Sequence, residues 1–192
     1  MTVPDAGPSR WEKLEKTSLA RTRIFDLDHI HYHHPQRDTD RDFVVIQSPD
    51  WVNVLALTPE HQLVLVRQFR FGINDFALEI PGGMIDVDES PLNGGVRELM
   101  EETGFRGSDP QLLGTVRPNP AIQSNHCHVV LVTDAGPVGP PAWDTDEEIE
   151  VSLRPVDEVL EMARNGGIFH SLVLNALFLF EPWWLKMKAR GI

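Results

Sequence analysis

Residues 83–105 read GMIDVDESPLNGGVRELMEETGF. The fold turns on this stretch. Ser90 followed by Pro91 is a helix start, because a serine hydroxyl caps open backbone N–H groups and proline costs nothing at the first helical position. Gly104 is the matching stop, since glycine takes the left-handed conformation that ends helices. On a wheel of about 100° per residue, Leu92, Val96 and Leu99 share one face, with Thr103 beside them. Glu98, Glu101 and Glu102 share a roughly opposite face, within an arc of about 100°. Like charges at this spacing destabilise a helix by a few tenths of a kcal/mol per pair. A block of carboxylates on one helix face is either solvated surface or a place for cations.

The spacing around the block decides between the two. From Gly83, five residues lead to Glu89, seven more to Arg97-Glu98-Leu99, then one to Glu101-Glu102 and one to Gly104-Phe105. This resembles the Nudix box and meets every fixed position of it. The resemblance implies that Glu98 and Glu102 ligate divalent cations and that Glu101 shares a metal or a bridging water. It implies that Glu89 ligates or orients through water, that the Gly82 carbonyl is a further ligand, and that Arg97 orients a glutamate. The implied metal is Mg²⁺, with Mn²⁺ as a substitute. Mg²⁺ takes oxygen ligands and keeps waters and substrate phosphates in its shell, which suits carboxylates at i, i+3 and i+4. One departure stands out. Gly94-Gly95 replaces a pair that is often alanine in the family. Each glycine costs about 0.5–1 kcal/mol in a helix interior. The expectation is a slightly soft helix, with close packing against a sheet as the alternative.

Working outward, FVVIQ (43–47), VNVLAL (52–57), QLVLVRQF (62–69) and FALEI (76–80) read as strands. LLGTV (112–116), HVVLVTD (128–134) and EVSLR follow as later strands. VDEVLEMARNGG and HSLVLNALFLFEPWWLKM read as closing helices. A mixed β-sheet interrupted by one helix and closed by others predicts an α/β fold, a Nudix α/β/α sandwich with an N-terminal β-rich arm. The expected division is an arm over 1–42, with one or two short strands, and a Nudix domain over 43–192.

The box does not name a substrate. WEKLEKT (11–17) resembles the N-terminal segment of ADP-sugar pyrophosphatases, and VRQFR (66–70) with LEIPGG (78–83) resembles ADP-ribose pyrophosphatases. Pro120 occupies the place of a proline those enzymes carry after the box. The resemblance implies that Trp11 stacks on adenine, that Arg70 meets the phosphates, and that Glu79 and Pro120 lie at the substrate. Alternatively Trp11 plugs a dimer interface and Arg70 is a strand-surface charge. The general base is expected in WDTDEEIEV, with Glu147 best placed and Asp144, Asp146 and Glu148 as rivals. The implied reaction is hydrolysis of ADP-ribose or a similar nucleoside diphosphate sugar to a nucleoside monophosphate and a sugar phosphate. GDP-mannose, dinucleotides and nucleoside triphosphates are the alternative substrates. A non-catalytic nucleotide-sugar sensor is disfavoured, because every box glutamate is present.

A formal net charge of −12 argues against nucleic-acid or anionic-membrane partners. The single cysteine, Cys127, excludes an internal disulfide and reads as a small buried residue in a reducing compartment. The N-terminus lacks signal-peptide features and no apolar run reaches the roughly 20 residues of a membrane span, so a cytoplasmic location is expected. A homodimer through the N-terminal arm is expected from the resemblance. His29, His31 and His33 alternate on one strand face, as either a polar strand or a transition-metal site. Trp183 and Trp184 read as core or interface.

Overall fold

The long apolar runs become central strands because both of their faces are covered. In a computed structural model, which describes residues 7–143, 145 and 148–191, the chain divides into two compact units. One comprises the residues up to Pro49 together with Asn119–Asn125; the other comprises Asp50–Pro118 and His126 onward.

The first unit is built on a three-stranded antiparallel sheet in the order β1-β2-β3: β1 Glu12–Arg21, β2 Asp26–His34 and β3 Thr39–Gln47. These strands are longer than the one or two short ones expected, and β3 runs across residue 43. Every residue of β1 is exposed, so no burial pattern marked it. Trp11 meets His34 and Phe43 edge-on at 4.7 and 5.7 Å between ring centres. The segment 119–125 begins with a turn, in which Ile122 and Gln123 donate to the Asn119 carbonyl. It pairs with β3 through Ile46 N–H to Ile122 O at 2.7 Å and Ser124 N–H to Ile46 O at 3.0 Å.

The second unit holds two sheets. One has the order β7-β4-β9-β8, formed by Gly82–Met84, Trp51–Ala56, Cys127–Pro137 and Phe105–Val116. Only β4 and β9 run parallel; the other pairings are antiparallel, so the sheet is mixed. The other sheet has the order β10-β5-β6: Glu150–Pro155, Gln62–Arg70 and Asp75–Glu79. Side chains alternate across each strand. Val52, Val54 and Ala56 of β4, with Val130 and Val132 of β9, pack on Leu99 of α1 (Pro91–Thr103). Leu55, Val129 and Leu131 face the opposite way, into a core with α2 (Val156–Arg164) and α3 (Ser171–Ala189) that includes Phe180 and Trp184. Helices therefore cover both faces, which is the expected α/β/α sandwich. Trp184 is core: it is buried and its indole donates to Asp157 at 2.9 Å.

The helix start and stop are as read. Asn93 N–H donates to the Ser90 hydroxyl at 3.2 Å, and Gly104 ends the helix at φ 72° with its N–H on the Met100 carbonyl. Of the two readings of Gly94-Gly95, close packing against the sheet is seen at Gly95. Both are buried, and a Cβ on Gly95 would lie 3.3 Å from Val130 and from Val52. Gly95 lets the helix backbone come close to β4 and β9, while a Cβ on Gly94 would lie 3.0 Å from a Glu89 carboxylate oxygen.

Candidate active site

The site begins where β7 passes under α1. A Cβ on Gly83 would fall 2.5 and 2.6 Å from the two Glu98 carboxylate oxygens, so only glycine leaves that carboxylate room. A Cβ on Gly82 would strike the Val52 carbonyl at 2.2 Å. The Gly82 N–H donates to Glu102 at 2.9 Å. Glu102 is therefore buried at 4% exposure rather than presented on an open acidic face. Strand and helix are tied together at Glu102 and lie close at Glu98.

Arg97 organises the others. Its Nε and Nη2 donate to the two Glu89 oxygens at 3.0 and 2.8 Å. Its Nη1 donates to Glu98 and to Glu101, each at 2.9 Å, and Nη2 also reaches the Met84 carbonyl at 2.9 Å. One guanidinium thus gathers three carboxylates and a strand carbonyl. Its hydrogen bonds hold Glu89 below the usual carboxylate range, against the opposing pull of burial. Glu89 foremost, then Glu98 and Glu101, push Arg97 higher still, so it is a permanent cation. Asp86 N–H adds a bond to Glu89 at 3.1 Å and fixes the loop before the helix.

The donor set can be tested against a divalent cation on this geometry. It is all-oxygen and anionic, it is held by backbone and guanidinium, and it already collects around a positive group. That composition fits a hard cation and does not suit a soft one. Among the described residues, no three carboxylates, imidazoles or thiols yet share one point that a cation could take. Glu89, Glu98 and Glu101 are gathered on Arg97 instead.

The remaining expected site residues fall in several places. Arg70 pairs with Glu79 through two parallel bonds of 2.7 and 2.6 Å, and Glu79 is buried at 3% exposure. This pair neutralises a buried carboxylate at the end of β6. Trp11 and Pro120 both belong to the first unit. Trp11 borders an open cleft of about 560 Å³ with Arg10, Glu12, Lys13 and Tyr32. Glu147, Asp144 and Asp146 lie outside the described residues; Glu148 is exposed and Ile149 is buried.

Three groupings went unread in the sequence. The Trp143 indole donates to the Glu102 carbonyl at 2.9 Å. Asp50 accepts the His126 N–H at 2.7 Å and faces the rings of His126 and His128 at 3.3 and 3.4 Å. Burial would raise the Asp50 pKa, but these bonds outweigh it and hold the carboxyl below its usual range. The third is the acidic partner set of the histidines. His31 bonds Asp42 at 2.7 Å and His33 bonds Asp40 at 2.8 Å. The alternating faces of HIHYH and DRD carried that signal. Cys127 is fully buried, and burial pushes its thiol up to about 12.

The chain belongs to the Nudix family: the NUDIX domain matches residues 47–174. An ADP-sugar pyrophosphatase of Mus musculus is 32% identical over 177 residues, covering 87% of this chain and 78% of that protein. An ADP-ribose pyrophosphatase of Bacillus subtilis (strain 168) is 26% identical over 134 residues, covering 69% and 72%. A crystal structure of an ADP compounds hydrolase matches with a TM-score of 0.83 over 97% of this chain and 99% of its own, at 22% identity, a likeness of fold. The chain is a Nudix pyrophosphohydrolase, and Nudix hydrolases generally need a divalent metal.

Proposed function

We propose that the chain hydrolyses the diphosphate linkage of ADP-ribose or a related nucleoside diphosphate sugar, with Mg²⁺, or Mn²⁺ in its place, giving a nucleoside monophosphate and a sugar phosphate. The observation that carries this reading is the set of Glu89, Glu98 and Glu101 around Arg97, with Glu102 locked to Gly82. The similarity to an ADP-sugar and an ADP-ribose pyrophosphatase supports the substrate class.

Glu98 and Glu102, helped by Glu101, Glu89 and the Gly82 carbonyl, would hold the cation. A bound divalent cation neutralises diphosphate charge and makes an attacking water more acidic. Arg97 holds three of the glutamates beside one another before anything binds. An acidic residue of the 144–148 stretch, Glu147 first, takes the proton of the attacking water. Arg70 contributes positive charge for the phosphates, and Trp11 offers an aromatic face to the base. A second copy docking through the arm, where β1 is exposed along its length, would make the homodimer. The arm over 1–42 is then a substrate-completing segment of the domain over 43–192. Among the described residues no helix is long and apolar enough to cross a membrane. The free, buried Cys127 suits a cytoplasmic setting.

A product screen with Mg²⁺ tests the reading across ADP-ribose, GDP-mannose, dinucleotides and nucleoside triphosphates. The expected outcome is AMP and ribose phosphate from ADP-ribose at the highest kcat/KM. Preference for a triphosphate by tenfold or more would replace the substrate assignment.

A further inference from the structure

We infer that Trp143 is a positioning residue for the metal-binding end of α1, acting through the segment Pro137–Trp143. The inference rests on the proposed role of Glu101 and Glu102 in holding a divalent cation. Those two glutamates stand in the last turn of the helix, one and two residues before its end at Thr103. A helix leaves its last four carbonyls without intrahelical partners, and its ends fray. A site that depends on side chains in that turn needs something to hold the turn.

The segment PVGPPAW does so. Ala142 N–H donates to the Glu101 carbonyl at 2.8 Å. The Trp143 indole N–H donates to the Glu102 carbonyl at 2.9 Å. Val138 and Gly139 N–H groups both reach the Gly104 carbonyl, at 2.9 and 3.4 Å. Prolines at 137, 140 and 141 carry no N–H and stiffen the chain, and the N–H groups of Val138, Gly139 and Ala142 join the Trp143 indole in falling on the helix end. The crossing is close: a Cβ on Gly104 would lie 2.1 Å from the Gly139 carbonyl oxygen. Gly104 is thus required twice, by its positive φ and by the segment that passes over it. Trp143 is 41% exposed, so its indole bond is worth more as a fixing point than as buried area.

Trp143→Phe keeps the ring and removes the donor. The Mg²⁺ concentration for half-maximal turnover is expected to rise about fivefold, the size of one lost hydrogen bond, with kcat at saturating Mg²⁺ within twofold of wild type. Without metal, amide exchange at residues 101–104 is expected to quicken by a similar factor while the first turns of α1 are unchanged. Trp143→Ala should exceed both effects. Unchanged metal dependence and unchanged exchange in the Phe variant would overturn the inference. So would quickened exchange along the whole of α1, which marks a general loss of stability. Glu102→Gln separates this from the reading beneath it. If that variant keeps full turnover and normal metal response, the metal assignment fails and the inference falls with it. If it loses both while Trp143→Phe changes nothing, only the role of Trp143 fails.

Discussion

Two groups of charges in this protein solve the same problem with different cations. At α1, Glu89 from the loop before the helix and Glu98 and Glu101 of the helix gather about one guanidinium. On the β2–β3 hairpin, Asp40 and Asp42 face a row of imidazoles: His31 at 2.7 Å from Asp42, His33 at 2.8 Å from Asp40, and His29 at 3.6 Å from Asp42. The first group is mostly shielded, with Glu89 and Glu98 side chains 15% and 13% exposed. The second is open, with both aspartates above 50%. A guanidinium stays charged at any ordinary pH, so the helix group is poised at all times. An imidazole changes charge in the physiological range, so the hairpin group is conditional. A constant site and a conditional surface have been written with similar numbers of acids; the identity of the base distinguishes them.

The largest expected effect breaks the helix group chemically without unfolding it. Glu98→Gln and Glu102→Gln should each lower kcat by at least about 100-fold, as expected when charge stabilisation in a transition state is removed. Melting temperature should hold, because a glutamine oxygen still accepts the Gly82 N–H and the like-charge repulsion is relieved. Steady-state kinetics beside thermal unfolding checks both halves. Full activity in both variants would sink the assignment of these carboxylates.

A smaller effect tests whether Arg97 is the cation around which the helix group forms. Arg97→Gln leaves three partly buried carboxylates facing one another. Breaking a fully buried pair costs about 3–5 kcal/mol, but Arg97 is 27% exposed, so about 1–3 kcal/mol is expected after solvent screening. That is a fall of roughly 2–10 °C in Tm for a chain of this size. Adding Mg²⁺ should raise the Tm of the variant more than that of wild type, since the cation takes over the task the guanidinium left. Equal shifts would mean that Arg97 and metal answer to different groups.

The same contrast explains what could be read in advance. The box helix declared its ends through Ser90-Pro91 and Gly104, and its two faces through period and charge. Those signals are local, and the structure keeps them. The central strands β4, β5 and β9 were legible because they are largely buried on both sides and therefore nearly continuously apolar. The hairpin sheet was legible only in part: FVVIQ (43–47) read as a strand and forms the second half of β3. β1 is exposed throughout, so its residues EKLEKTSLAR obey no burial pattern, and only pairing with β2 makes them a strand. Within the site, the bonds formed by Arg97 stay inside the box, whereas the Gly82 bond to Glu102 and the anchoring by Trp143 span 20 and 41 residues. The reach of an indole from residue 143 to the carbonyl of residue 102 has no local signature. The Gly94-Gly95 pair was visible as an oddity, but the approach of Gly95 to Val52 and Val130 depends on other strands.

The smallest expected effect is confined to the hairpin and appears with pH. Its bond to Asp42 raises the His31 pKa, with Asp40 and Glu15 adding in the same direction; the Asp42 pKa is lowered in return. A raised histidine stabilises the fold fully below its unfolded value, near 6.5, and that contribution is lost as pH rises through the higher folded value. A depressed aspartate contributes above its unfolded value, near 3.9, and loses it as pH falls. The two overlap from about pH 4 to 6.5, where imidazolium faces carboxylate. Glu89 behaves like Asp42, but its partner Arg97 does not titrate, so the helix group has no loss on the alkaline side. Ring-proton NMR should therefore show His31 titrating above the ordinary histidine value. Amide protection in β2 and β3, corrected for intrinsic exchange, should decline from pH 6 to 8 while that of α1 stays level. In His31→Gln the hairpin's decline should largely vanish. Protection falling in both regions together, or a His31 titration at the ordinary value, would erase the distinction between the two charge groups.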